Sequence, residues 1–510
     1  MKKTSLILWG LILLKFFLQY VLIDPVYELH RDEFLHLDQG NHLDWGYTSV
    51  PPVTSWISFL IKLLGNGVFW VKFFPALFGA LTIWVVWKTI EELKGNWFAL
   101  TLGGISILFS VLLRMNTLYQ PNSLDILVWT LVYYVLVKYI NSEKTKWLYL
   151  AAVIFAFGFL NKYNIAFLLL GLLPAILLTE HRKIFQNKHV YIAALLALVL
   201  ISPNLIWQYQ NNFPVIHHLR ELTATQLVNV NRLDFLKEQL LFFFSSIFII
   251  IASFVAFFIF PSFRKFRLIG WSFLFTMLLF TWFRAKSYYA IGLYPVLLVF
   301  GSVYLEKLMK GKWAKFLQPV ILIIPILLFV PMLKIAFPNR TPREIRQDEQ
   351  MYRDFGLLRW EDGKEHLLPQ DFADMLGWKE LARKVDSAYI QIAQPDQTLV
   401  YCDNYGQAGA INYYSKIKHI GAVSLNADYI NWFRFDKEIR YIIRVKEISD
   451  NGKELIVSAP YCESVFKFDE VTNEFAREKG TTIYLLMKTK VQANDVLRKE
   501  IDERKNQYQF

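Results

Sequence analysis

Acidic side chains crowd into one polar stretch of an otherwise apolar chain: residues 24–52, DPVYELHRDEFLHLDQGNHLDWGYTSVPP. Asp32 and Glu33 stand side by side, Asp44 follows, and Pro51-Pro52 bends the segment back. A carboxylate held near a hydroxyl can take up its proton as the oxygen attacks another group. Ionisable groups at a membrane rim are costly to keep, which makes them functional suspects; the plain alternative is an ordinary wet loop. Neighbouring residues on a helix point about 100° apart. Asp32 and Glu33 therefore cannot both address one substrate atom. One is expected to act, and the other to be braced by Arg31 or an outer-face cation.

The elements that must position these groups are membrane spans. Of the 510 residues, 55% are hydrophobic, 17% aromatic and only 19% charged, which points to a polytopic α-helical membrane protein. The formal charge of +12 does not imply nucleic acid. Lysine and arginine cluster in short loops at 88–94, 138–146, 181–188, 264–267 and 307–315, the pattern of cytoplasmic flanks. Eleven spans are expected, near 5–23, 70–88, 97–113, 123–138, 148–160, 165–179, 190–206, 240–260, 268–283, 288–305 and 317–337. Lys2 and Lys3 put the amino terminus inside, and an odd count puts the carboxyl terminus outside. No small-x-small cleavage site follows the first apolar run, so it reads as a retained signal anchor. Residues 24–74 form the first outer loop. Within it 53–64 is too short to cross and reads as an interfacial helix. Arg114, Lys162, Arg284 and Lys286 then fall on the outer face, where cations are not required by the charge rule.

Composition changes at Pro338. Residues 1–337 read as the membrane domain and 338–510 as a soluble domain of α/β or α+β type. A helix is expected over 372–392. Strands are expected at 398–402, 418–425, 438–448, 454–459, 465–471 and 481–489, with a hairpin turn at Asn451-Gly452. Cys402 and Cys462 leave open whether they pair.

Metal and nucleotide motifs do not appear: there is no HExxH, no CxxC, no P-loop and no GxGxxG after a strand. His217 and His218 are adjacent and cannot share a helical face. Gly103-Gly104 reads as a helix-packing site and Asp125 as a buried carboxylate early in the fourth span. Acids and cations together at a lipid surface suit group transfer from a lipid-linked phosphate, with the carboxylate as base and the cations stabilising the departing phosphate. The same ingredients suit a transporter or flippase of a lipid-linked anion, or a non-catalytic membrane assembly protein.

The loop DEFLHLDQGNHLDWGYTSVPPVTSWI (32–57) resembles that of bacterial glycosyltransferases related to dolichyl-phosphate-mannose protein mannosyltransferases and to the aminoarabinose transferases of lipid A. The similarity is carried by Asp32-Glu33, by Leu43-Asp44-Trp45-Gly46-Tyr47 and by Pro51-Pro52. FGFLNKYN (157–164), SPNLIWQYQNNF (202–213), RAKSYYAIGLYP (284–295) and NYGQAGAINYY (404–414) support it. Two departures stand out. Gln120-Pro121-Asn122 replaces the family's frequent Thr-Pro-Asp, and Ser49-Val50 its frequent Asp-His. The resemblance implies a GT-C membrane fold with a periplasmic soluble domain in the bacterial inner membrane. It implies a polyprenyl-phosphate sugar as donor, a lipid, glycan or protein acceptor, membrane lipids as surroundings, inversion at the anomeric carbon, and neither cofactor nor metal. It also favours Asp32 as the catalytic base, with Glu33 beside it and Asp44 as orienting group. Lys162, Arg284, Lys286 and, more weakly, Arg114 would meet the donor phosphate. Trp45, Tyr47, Asn122, Tyr163 and Trp207 would line the substrate cavity.

Overall fold

In the computed structural model, which describes residues 3–309 and 311–506, six helices are long and apolar enough to cross a bilayer. They are Thr4–Val21, Val68–Glu92, Pro121–Ser142, Lys188–Gln210, Ser287–Leu308 and Ala314–Ala336. Two bent pairs raise the number to eight if each is one span: Ile165–Leu177 with Glu180–Gln186, at 107°, and Arg232–Phe242 with Phe244–Ile259, at 61°. The expected eleven is therefore too many. The surplus comes from apolar helices that are short. Trp97–Leu108 has 12 residues and rises about 18 Å, against about 30 Å of hydrocarbon. Lys146–Asn161 and Arg267–Trp282 have 16 each. Hydropathy registers such helices as strongly as full crossings. Lys2 and Lys310, counted among the inner-face cations, lie outside the described residues.

Burial separates the centre of the bundle from its lipid-facing rim. The apolar window of Ser287–Leu308 is 83% buried and that of Ala314–Ala336 only 11%. Gly103 and Gly104 sit against Ile90 and Leu11, in keeping with close helix packing.

The polar carboxyl-terminal part carries a five-stranded sheet in the order β2-β1-β3-β5-β4. Strand β1 (Thr398–Cys402) runs parallel to β2 (Val423–Ser424) and β3 (Tyr441–Lys446). Strand β5 (Thr482–Thr489) is antiparallel to both β3 and β4 (Cys462–Glu470). The strand expected over 418–425 shrinks to two residues, and 454–459 is no strand. Lys453–Val457 is a helix, and Asn451 and Gly452, both with positive φ, lead into it instead of making a hairpin. Both edges of β3 are already paired, by β1 and β5, so a following hairpin strand has nowhere to bind. The helix expected over 372–392 breaks at Gly377 (φ +86°) into Gln370–Ala373 and Trp378–Ile392. Cys402 and Cys462 are buried and unpaired, and two strands lie between theirs. That separation is about 14 Å at ~4.8 Å per strand, beyond disulfide reach.

The first polar loop is built into this soluble part. Phe34, Leu35 and Leu37 share one core with Trp378, Val385, Val400, Ile443 and Leu485. Glu28 accepts the backbone N–H groups of Trp378 and Lys379 and so caps the Trp378–Ile392 helix. The backbone N–H of Asp24 bonds the carbonyl of Pro338 at 2.7 Å.

Candidate active site

The helix Arg31–Gln39 begins with a capping box. The His30 ring accepts the backbone N–H of Asp32 at 3.2 Å, and the Glu33 carboxylate accepts that of His30 at 2.7 Å. This cap sets the two acids in the first turn, where the helix dipole favours negative charge.

Their fates then diverge. Glu33 is fully buried. It pairs with Lys72 through both oxygens, at 2.6 and 2.7 Å, and accepts the backbone N–H of Tyr119 at 2.6 Å. The brace expected from Arg31 or an outer-face cation is instead a lysine inside the apolar helix Val68–Glu92. A lysine in such a run (VFWVKFF) is the signal that marks it in the sequence. Asp32 stays half-buried and accepts one hydrogen bond on each oxygen. The Tyr405 hydroxyl donates to Oδ1 at 2.7 Å and Gln120 Nε2 to Oδ2 at 3.1 Å. A carboxylate has about four lone-pair sites, so two remain for a substrate hydroxyl. Burial pushes the Asp32 pKa up, but His30 and Arg31 together with the Tyr405 hydroxyl outweigh it and hold the carboxyl below its usual value.

Tyr405 opens the helix Tyr405–Tyr414 of the soluble part. It reaches Asp32 because two glycines let that helix lie against Arg31–Gln39. A Cβ on Gly406 would sit 2.6 Å from Arg31 Cγ, and one on Gly409 would sit 2.6 Å from Phe34 Cβ. The Arg31 guanidinium stacks over the Tyr405 ring at 4.3 Å, and its Nε is buried without a hydrogen-bond partner. Tyr405 was not singled out from the sequence, although its segment was. No local pattern says which tyrosine of NYGQAGAINYY reaches Asp32.

From Asp32 the polar chain runs to a cation. Gln120 Oε1 accepts from Asn122 Nδ2 at 2.8 Å, and Asn122 Oδ1 accepts from Lys162 Nζ at 2.6 Å. Lys162 lies over the rings of Tyr289 and Tyr288, at 4.3 and 5.2 Å. The residues where the chain departs from Thr-Pro-Asp are thus the bridge between acid and lysine. Asp125 is buried beside this network, accepting from Trp129 Nε1 and Asn164 Nδ2. Tyr163, Asn204 and Gln208 form a further cluster, in which Asn204 also donates to the carbonyl of Trp45. Trp207 lies against Gly46.

Several expected site residues stand apart. Asp44 is exposed, its carboxylate turned back to the Trp45 N–H at 2.7 Å, so it orients nothing at Asp32. Tyr47 is buried, and its hydroxyl closes the loop through the carbonyls of Gln39 and His42. The four cations do not form one cradle. Arg114 bonds Asp371, Lys286 bonds Glu361, and Arg284 donates to the carbonyl of Val228. Outer-face position alone could not tell a cation facing the acid from one holding the soluble part in place. Among the described residues no group of three or more His, Cys, Asp or Glu side chains is placed to hold a metal ion.

Residues 49–207 match the model of the family described as dolichyl-phosphate-mannose-protein mannosyltransferase. The lipid A galacturonosyltransferase RgtD of Rhizobium johnstonii is 25% identical over 239 residues, 44% of this chain; the match spans about half (46%) of that protein. The fold is that of ArnT from Cupriavidus metallidurans. The form solved with undecaprenyl phosphate aligns with a TM-score of 0.62 over 95% of this chain and 98% of that one, at 14% identity. The apo form gives 0.62 at 13% identity. The chain is a polytopic membrane protein of the GT-C glycosyltransferase fold, with a β-containing soluble domain at its carboxyl end. Within that fold it is similar to ArnT in structure and, over part of its length, to a lipid A galacturonosyltransferase in sequence.

Proposed function

We propose that this protein transfers a sugar from a polyprenyl-phosphate donor to a hydroxyl or phosphate acceptor at the periplasmic face of the inner membrane, with inversion and with Asp32 as base. The observation that carries the reading is the polar chain from Asp32 through Gln120 and Asn122 to Lys162. It joins a carboxylate with free lone pairs to a cation suited to a phosphate. In the reaction the acceptor oxygen attacks the anomeric carbon and Asp32 takes its proton. The bond from that carbon to the phosphate oxygen breaks, and the polyprenyl phosphate leaves with the bonding pair. Lys162 offers the departing phosphate a charge-assisted hydrogen bond, and the unpartnered Nε of Arg31 offers a second donor beside the base. The acceptor class, lipid, glycan or protein, stays open.

The orientation rests on a contact and not on a span count. The Asp24 N–H bonds the Pro338 carbonyl, which supports a first loop and a soluble part that share one face. By the charge rule Lys2 and Lys3 favour a cytoplasmic amino terminus, and one crossing then assigns that shared face to the periplasm. The domains accordingly divide as 1–337, with the loop 24–74 carrying the base, and 338–510.

The test is Asp32→Asn, which keeps size and most hydrogen bonding but cannot take up the proton. With labelled polyprenyl-phosphate sugars and extracted acceptor lipids it should bind donor normally and lose at least ~100-fold in turnover. Normal turnover in folded Asp32→Asn removes Asp32 as the base, and a Glu33→Gln that is inactive while melting with wild type then moves the role to Glu33; normal turnover in both removes the mechanism.

A further inference from the structure

A second polar feature lies away from the acid-centred network. It is a cavity of about 370 Å³ lined by Val228, Val230, Asn231, Arg232 and Arg284. It forms where the segment after the Pro214–Thr225 helix meets the turn that ends the Arg267–Trp282 helix. None of its lining residues takes part in the chain from Asp32 to Lys162.

Both guanidinium groups are held in place by main-chain carbonyls. Arg232 donates through Nε to Thr281 at 3.1 Å and through Nη2 to Trp282 at 3.4 Å, and Arg284 donates through Nη1 to Val228 at 3.2 Å. These contacts fix position without supplying a countercharge. The acids nearest in sequence are engaged elsewhere: Asp234 pairs with Lys237, and Glu238 accepts from the Ser287 hydroxyl. Two fixed cations therefore line one cavity with N–H groups to spare. Arg284 also adopts φ +53°, an uncommon backbone for a residue with a Cβ and one that recurs at ligand clamps.

The surroundings set the depth of the cavity in the membrane. Trp282 is 71% exposed, Leu233 66%, Phe283 57% and Val228 54%. In water such a cluster is unfavourable, whereas at a bilayer rim aromatic rings sit at headgroup level. Two residues beyond Arg284, Lys286 pairs with Glu361 of the soluble part. The turn thus lies at the membrane face that carries that part, and the two arginines stand at the height of lipid phosphates. The guanidinium fork matches phosphate oxygens in pairs, which a point charge does not.

From this we infer that the cavity binds the phosphate headgroup of an anionic membrane lipid, with Arg232 and Arg284 on the phosphate and Trp282 and Phe283 against the upper acyl chains. The site is independent of the sugar-transfer reading and stands whether or not Asp32 is a base.

The test is native mass spectrometry of the full chain in detergent, with phosphatidylglycerol and phosphatidylcholine of equal chain length as probes and inorganic phosphate as competitor. Wild type should retain phosphatidylglycerol about tenfold over phosphatidylcholine, and millimolar phosphate should not displace it. Arg284→Gln and Arg232→Gln should each lower retention about tenfold, the scale of one charge-assisted contact, and Arg232→Lys should fall between. Arg232 also tethers the turn at Thr281, so melting temperatures are taken in parallel. Arg284→Gln, which loses one carbonyl contact, carries the test if Arg232→Gln does not fold. Equal retention of the two lipids, or unchanged retention in folded Arg284→Gln, would show arginines that merely reach for the interface and would overturn the inference. Displacement by inorganic phosphate would make this a free-anion site and overturn the lipid assignment.

Discussion

Tyr405→Phe is the sharpest probe of how the soluble part acts on the acid. The substitution removes one O–H donor, 2.7 Å from Asp32 Oδ1, and keeps the ring on which Arg31 stacks. A hydrogen bond to a charged group contributes about 1.5–3 kcal/mol. At 1.36 kcal/mol per pKa unit that is roughly one to two units. The carboxylate is half-buried and keeps its bond from Gln120, so the lower end applies, about one unit upward. In wild type the depressed pKa keeps Asp32 ionised through the usual carboxylate range, so the kcat/KM profile should stay flat on its acid side to below that range. In Tyr405→Phe the acid limb should appear about one unit higher, with most of the rate kept at pH 8. Stability should follow the same sign. A depressed folded pKa contributes stability above the unfolded value of ~3.9 that is lost as pH falls through the folded value, and the variant should lose part of that contribution. The assay is initial-rate transfer of labelled sugar between pH 4 and 8, with melting temperature measured at each pH. A rate lowered by one factor at every pH, with the limb unmoved, would refute the claim that Tyr405 acts through the ionisation of Asp32.

Glu33→Gln should behave as a structural lesion: it leaves Lys72 buried without its counterion, a loss of about 3–5 kcal/mol. Thermal unfolding in detergent reads this directly, and a variant melting with wild type would return Glu33 to contention as the base. Lys162→Met should raise the Kd for polyprenyl phosphate about tenfold or more, as expected for one charge-assisted contact; an unchanged Kd would leave Lys162 only a role in holding Asn122. A periplasm-active reporter fused after Gly356 should be active, and silence there with a working cytoplasmic reporter would reverse the proposed orientation.

The acidic loop, the membrane character and the change at Pro338 were legible in the sequence because each is a matter of local composition. Charge and hydropathy act residue by residue, and a bilayer sorts them without reference to distant partners. The polytopic helical class followed from the same pattern, and the GT-C expectation from the resemblance carried by Asp32, Leu43–Tyr47 and Pro51-Pro52. Span count was less secure, since a twelve-residue apolar helix inside a bundle and a full crossing differ in length more than in hydropathy. The partners of single residues were decided by tertiary structure alone. Asp32 and Glu33 are adjacent and chemically alike, yet a 100° turn sends one to Lys72 in the bundle and the other to Tyr405 of the soluble part, 373 residues away. Asp44 and Tyr47 share the motif but are turned by the loop onto its own backbone. The cations were separated by partners far along the chain, Asp371 for Arg114 and Glu361 for Lys286. Contacts of that range depend on how two glycines let one helix approach another, and that is a property of the packed chain and not of any window of it.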